Sequence, residues 1–250
     1  MSYKIEVADG VMTFTIDRPH IRNAVNDEVI RGLENLVEQV HSNNPQFVVI
    51  TAAGEQAFCS GGDLSVYQNL RTRGEAYPML KKMGDVLYQV KTLPVPVIAL
   101  VNGTAVGGGC EIATACDYRL IRNHVKCGFI QGTLAITSGW GGGTYLFENL
   151  PHAKALQMLS EAKLYSAAEL ESSGWATKVI RSDDDLDKFF SSMKKVRPEV
   201  HRAYKEIAIR KWQATGLKDR VDAEIVRCAE LWAEEAHHEA VEKFMNKKKM

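Results

Sequence analysis

The 250-residue sequence contains no run of about eighteen apolar residues, so nothing in it reads as a membrane-spanning helix. It opens MSYKIEVADG, without the apolar stretch of a secretory leader. These two absences set the cytoplasm as the expected address. Charge of one sign is not in excess: 31 Lys and Arg face 31 Asp and Glu. That balance excludes a strongly basic nucleic-acid surface and an electrostatic membrane patch. The five cysteines, Cys59, Cys110, Cys116, Cys127 and Cys228, include no C-x-x-C pair, and their number is odd. A disulfide framework and a zinc site are both disfavoured, and no metal site is expected. Internal repeats and low-complexity segments are missing. The lysines at 247–249 read as a solvated end.

What is present is an ordinary globular composition, 45% hydrophobic and 25% charged. A chain of this length buries one good core, with room for a small appendage. Residues 4–8 and 11–16 alternate at period two around the turn signal Asp9-Gly10, predicting a hairpin. Asn26 or Asp27 can cap a helix running to about His41. Residues 47–53 and 94–101 read as strands apolar on both faces, with a helix over 76–92 between them. A short helix over 110–115 and a strand over 117–121 follow. Continuous apolar strands alternating with helices imply mostly parallel pairing. From about residue 151 the pattern turns helical: 152–160, 167–172, 185–195, 198–213 and 218–247, interrupted by a possible short strand at 176–180.

Two glycine-rich turns each come after a predicted buried strand. They are Phe58 to Leu64 (FCSGGDL) and Asn102 to Glu111 (NGTAVGGGCE). Glycine lets a ligand approach the backbone and lets N–H groups point at one spot. Each turn also opens a predicted helix, whose first N–H groups are free donors. Two such donors on one oxygen form an oxyanion hole, each worth about 3 kcal/mol of barrier. The second turn is not G-x-x-x-x-G-K-[ST], which argues against a phosphate loop, nor is it a good G-x-G-x-x-G dinucleotide fingerprint. Tight turns and plain helix starts remain the other reading. Glu111 follows the triple glycine, among Cys110, Ile112 and Ala113. A carboxylate in such company has its pKa raised, as a working acid or base requires. An acid that merely favours a helix N-terminus is the alternative.

Taken together these residues resemble the crotonase superfamily, the enoyl-CoA hydratase/isomerase group. The resemblance is carried by DRPHIRNA at 17–24, AFCSGGDL at 57–64 and the stretch from Pro94 to Leu120. SGWGGG at 138–143 and the helical C-terminal third extend it over nearly the whole chain. It implies an α/β crotonase (ClpP-like) fold of stacked ββα units with a helical C-terminal region. The core would cover 1–190, and 191–250 would be a trimerisation region of the same continuous domain. A homotrimer or dimer of trimers is implied. The implied substrate is an acyl-CoA thioester, with CoA as part of the substrate and no further cofactor. Its carbonyl oxygen would sit between the N–H groups of Gly62 and Gly108 as a thioester enolate forms, with Glu111 over the adjacent carbons. Arg22 and Ala24 would lie along the CoA, with Arg22 or Arg18 meeting a phosphate. Ser60, Gly61 and Asp63 would flank the first donor, Asp63 bracing the turn.

Two positions depart from the pattern. Hydratases of the family carry a second glutamate twenty residues on, in a stretch of type F-G-x-P-E; here CGFIQG at 127–132 places Gln131 there and Ile130 at the proline. Glutamine keeps the hydrogen-bonding shape but exchanges no proton near pH 7. Losing one general acid/base typically costs about 10²–10⁴ in rate. Trp140 stands where hydratases have a small residue, narrowing the acyl pocket. With Leu231 and Trp232, this looks like the ethylmalonyl-CoA decarboxylase branch. The reading is therefore a lyase or isomerase of fatty-acid metabolism using one carboxylate. Decarboxylation of a short branched malonyl-type CoA ester is its sharpest form. Gln131 could then hydrogen-bond the departing carboxylate. Hydration or isomerisation of an enoyl-CoA, and a non-catalytic acyl-CoA-binding subunit, are the alternatives. His237 and His238, adjacent on a predicted helix, are expected at the surface or an interface. Tyr145 and Trp175 are expected to pack.

Overall fold

The structure, a computed structural model, describes residues 1–67 and 69–247. Lys248 and Lys249 of the terminal lysine run lie outside them. Strands β1 (Tyr3–Ala8) and β2 (Val11–Ile16) form the expected antiparallel hairpin. Helix α1 (Asp27–Asn43) follows, capped by the Asn26 side chain, which accepts from the Val29 N–H. The chain then repeats one unit. A strand in a large sheet is followed by a short strand in a second sheet and then by helix: β3 (Phe47–Ala52), β4 (Ala57–Cys59), α2 (Leu64–Tyr67) and α3 (Arg73–Lys91). The next turn of the spiral is β5 (Val97–Val101), β6 (Thr104–Val106) and α4 (Gly108–Ala115). The third is β7 (Tyr118–Arg122), β8 (Lys126–Gly128) and α5 (Gly142–Asn149). The chain continues through α6 (His152–Glu161), β9 (Tyr165–Ser166), α7 (Ala167–Ser173) and β10 (Lys178–Ile180). Helices α8 (Asp183–Lys194), α9 (Pro198–Ala214), α10 (Leu217–Trp232) and α11 (Glu235–Lys247) complete it.

The large sheet has the order β1-β2-β3-β5-β7-β10 and is parallel from β2 onward; the small one has the order β4-β6-β8-β9. This is the stacked ββα architecture. Burial explains the strand sequences: Phe47, Val48, Ile50, Val97, Ile98 and Val101 are all fully buried, as parallel strands covered on both faces must be. The helical third is pinned to the core by a charge contact. Lys205 on α9 bonds Asp117 at 2.6 Å, and Lys205 and Lys91 both lie over the Trp212 ring, at 5.3 and 4.5 Å. All five cysteines are buried and free.

Residues 218–247 do not form one helix. The chain breaks after Trp232 into α10 and α11. The cause is tertiary. Trp232 Nε1 donates to the Leu70 carbonyl at 2.9 Å, and His237 Nδ1 lies 2.7 Å from the Leu134 carbonyl. The two rings touch, with centroids 4.6 Å apart. On a straight helix, residues five apart project about 140° from each other and could not meet. Helix α5 was not expected either, because it opens with glycines of low helix propensity.

The small sheet positions the site. Neighbouring parallel strands β4 and β6 each end in one of the glycine turns, so the turns lie side by side. The approach needs bare backbone: a Cβ at Gly109 would stand 2.2 Å from the Cys59 carbonyl oxygen. Gly109→Ala should therefore destabilise the fold by about 1–3 kcal/mol. The urea unfolding midpoint would read this; an unchanged midpoint would show that the two turns are not pressed together.

Candidate active site

Arg22, Ala24, Ser60, Gly61, Gly62, Asp63, Gly108, Glu111, Gln131 and Trp140 line one cavity of about 670 Å³, whereas Arg18, the other arginine named from the sequence, does not. The first glycine turn is fixed by a bridge to Val25, which donates to Gly61 O and accepts from Asp63 N, both at 2.8 Å. With both neighbours turned toward Val25, the Gly62 N–H points to the opposite side. The Gly108 N–H is the first of α4 and has no acceptor within that helix. Among the described residues, neither N–H donates to an internal acceptor. The turns are in contact: Gly61, with φ +92°, would place a Cβ 3.4 Å from the Gly108 nitrogen.

The Asp63 carboxylate stays in the wall. Its Oδ1 accepts from the Ser65 N–H and hydroxyl, and its Oδ2 from Arg18 at 2.9 Å. Arg18 also donates to the Ala24 carbonyl at 2.6 Å. Burial opposes ionisation of Asp63, but the Ser65 and Arg18 bonds outweigh it and hold its pKa below the usual carboxylate value. Arg18 is thereby committed to bracing the turn. Arg22 is exposed at the cavity rim.

Glu111 is buried, 3% exposed, in the first turn of α4. Its Oε2 accepts from the backbone N–H groups of Trp140 and Gly142 at 2.8 and 2.9 Å. Its Oε1 accepts from Gln131 Nε2 at 2.9 Å and more distantly from the Gly139 N–H at 3.4 Å. Burial pushes its pKa up to about 7, and the nearby Glu224 carboxylate adds to this; the backbone donors pull the other way. The group therefore exchanges a proton near neutrality, as its apolar sequence context predicted. Gln131 is itself bonded to Glu111. Its Oε1 is buried without a partner.

Trp140 forms the roof. A Cβ at Gly108 would fall 2.1 Å from the indole ring and one at Gly62 would fall 3.7 Å from it. The ring thus lies against both donor glycines, and the Trp140 backbone N–H is held by Glu111. Tyr145 and Trp175 are packing residues, both fully buried, Trp175 Nε1 donating to Thr114 at 2.9 Å. His237 is not at the surface: it is 3% exposed and lines the cavity beside the half-buried His238. Its burial and its bond to Leu134 follow from the break between α10 and α11. Glu224, on α10, was missed altogether. It stands three residues after Val221 and four before Cys228, on the buried face of α10, and the fold brings it to the start of α5.

A search for relatives fits this geometry. The model of the family described as enoyl-CoA hydratase/isomerase matches residues 6–250. The chain belongs to the enoyl-CoA hydratase/isomerase family. It is 31% identical over 182 residues to the short-chain-enoyl-CoA hydratase of Clostridium acetobutylicum, covering 72% of this chain and 69% of that one. It is 30% identical over 154 residues to the ethylmalonyl-CoA decarboxylase of Xenopus laevis, covering 62% and 52%. The solved enoyl-CoA hydratase of Mycobacterium avium subsp. paratuberculosis superposes with a TM-score of 0.86 at 23% identity, over 99% of this chain and 96% of that one. That last likeness is one of fold.

In this family member the raised acidity threshold of Glu111 has a stability consequence. A buried carboxyl whose pKa is raised from 4.5 to about 7 stabilises the fold fully below pH 4.5, and that contribution is lost as pH rises through 7. Over this window wild-type stability should fall relative to Glu111→Gln, by on the order of 3 kcal/mol. Urea melts at a series of pH values measure this; parallel stability curves for the two proteins would contradict it.

Proposed function

We propose that this chain processes acyl-CoA thioesters through an enolate, with Glu111 as its one proton-exchanging group. The thioester oxygen is held by the Gly62 and Gly108 N–H groups, where negative charge gathers as the enolate forms. The observation that carries the reading is the Glu111–Gln131 pair. One buried carboxylate with a pKa near 7 faces the cavity, and the position of a second is filled by an amide bonded to it. Of the other cavity carboxylates, Asp63 is tied to Arg18 and Glu242 stands out on α11, exposed.

Decarboxylation of a short branched malonyl-type thioester fits such a site best. The bond from the α-carbon to its carboxylate breaks, its electron pair enters the enolate, and CO₂ leaves. Glu111 then delivers a proton to the α-carbon. Gln131 is placed to hydrogen-bond the departing group, and Trp140 limits the acyl chain. The kinship with a decarboxylase supports this version. A second reading, hydration of an enoyl-CoA with Glu111 doing both proton transfers, is favoured by the relatives named as hydratases. We further propose a homotrimer or dimer of trimers in the cytoplasm. Val200, Tyr204 and Ile207 form an exposed apolar stripe on α9, 41%, 69% and 62% exposed, at the spacing of one helix face.

Purified protein given crotonyl-, 3-enoyl-, methylmalonyl- and ethylmalonyl-CoA separately should release CO₂ from the malonyl-type esters, followed by mass spectrometry. Glu111→Gln should lower turnover by about 10²–10⁴. Hydration of crotonyl-CoA without CO₂ release would favour the second reading, and binding with no turnover at all would sink both. Trp140→Ala should raise kcat/KM for longer acyl chains relative to short ones. Light scattering should give a mass of three or six chains; a monomer would refute the assembly.

A further inference from the structure

Two carboxylates share the N-terminus of α5. The helix begins after Gly141, which offers no side-chain cap. Its first N–H, from Gly142, goes to Glu111 on α4 at 2.9 Å. Its next two, from Gly143 and Thr144, go to Glu224 on α10 at 3.0 and 2.7 Å. The Ser138 and Thr144 hydroxyls add bonds to Glu224, both at 2.6 Å. Consecutive donors of one helix turn thus bind two acids from two different helices. Among the described residues, no Lys, Arg or His bonds either acid. The other titratable groups facing them are Tyr145 on α5 and Cys228 on α10, with Tyr88 on α3 and Asp222 on α10 beyond Tyr145. Burial raises the pKa of Tyr145 and of Cys228, so both stay neutral near pH 7 and neither offsets the acids.

One helix terminus, equivalent to roughly half a positive charge, cannot balance two full negative charges. One acid must keep a proton more readily than it would alone. The partners decide which. Glu224 is bound by two backbone N–H groups, which can only donate, and by the Ser138 and Thr144 hydroxyls, each of which has a proton to donate to it. That set favours its charge. Glu111 is also bound by backbone N–H groups, those of Gly139, Trp140 and Gly142, but its remaining partner is an amide that can turn over: rotated, Gln131 Oε1, which has no partner among the described residues, would accept a hydrogen bond from protonated Glu111.

We propose that Glu224 is a positioning residue for Glu111: held ionised on the same helix N-terminus, its charge keeps the working proton on Glu111 and aligned with Gln131. This rests on the reading of Glu111 as the proton-exchanging group. Burial also raises the pKa of Glu224, against the pull of its hydroxyl and backbone donors, so the two acids titrate as a pair.

The test is a carboxyl-carbon NMR titration of the full chain labelled at glutamate, with Glu224→Gln and Glu111→Gln. In Glu224→Gln the Glu111 midpoint should move to lower pH by about one pH unit or more, and the matching limb of the kcat/KM profile should move with it. In Glu111→Gln the Glu224 midpoint should fall by the same amount, since coupling is reciprocal. Should Glu224→Gln fail to fold, the second arm decides alone. A Glu224 midpoint that ignores neutralisation of Glu111 overturns the proposal, as does an unmoved Glu111 in folded Glu224→Gln. Coupled midpoints in a protein whose turnover survives Glu111→Gln would uphold the pairing and defeat the function proposed above.

Discussion

The Glu111 carboxylate is buried without a cation, and four N–H groups hold it there. Those bonds do more than solvate one acid. They start α5, whose glycines would not begin a helix unaided. They draw in the turn at 139–140, and so lay the Trp140 ring against Gly62 and Gly108. They also fix Gln131, which arrives from beyond β8. Roof, wall and reactive group of the cavity are therefore assembled around one carboxyl group. The desolvation that this burial costs is what brings the group to a pKa near 7.

The second constraint is the close approach of backbone to backbone. Strands β4 and β6 are only three residues each, yet their parallel pairing sets the two glycine turns side by side. A side chain at Gly109 would hold the turns apart, and one at Gly108 would strike the Trp140 ring. The large sheet supplies the rigid base, and α11, bent back by Trp232 and His237, closes the cavity from the other side.

Much of this was legible from residue patterns. Phe47–Ala52 and Val97–Val101 announce buried parallel strands because both faces are apolar. Asn26 announces α1 because its side chain can cap. The stretch from Gly107 to Glu111 points to a site through its resemblance to the family, since glycines before an acid also suit a plain turn and helix start. Other features were not legible, for definite reasons. Strands β4, β6, β8 and β9 are two or three residues long, too short for any period to register. The break before α11 follows from contacts to Leu70 and Leu134, more than a hundred residues away. Glu224 meets Thr144 from eighty residues off; its place on the apolar face of α10, between Val221 and Cys228, marks it as inward but not what it meets. The family motifs likewise carried the family and its acyl-CoA substrate class but not the reaction.

The account's central claim is that the two glycine N–H groups hold a thioester oxygen while Glu111 faces the carbon beside it. A crystal structure with an unreactive CoA thioester analogue that keeps its carbonyl tests this directly. The account predicts the carbonyl oxygen at about 2.7–3.2 Å from both the Gly62 and Gly108 nitrogens, with its α-carbon toward Glu111. A carbonyl bound away from either nitrogen, or an α-carbon turned from Glu111, would contradict it.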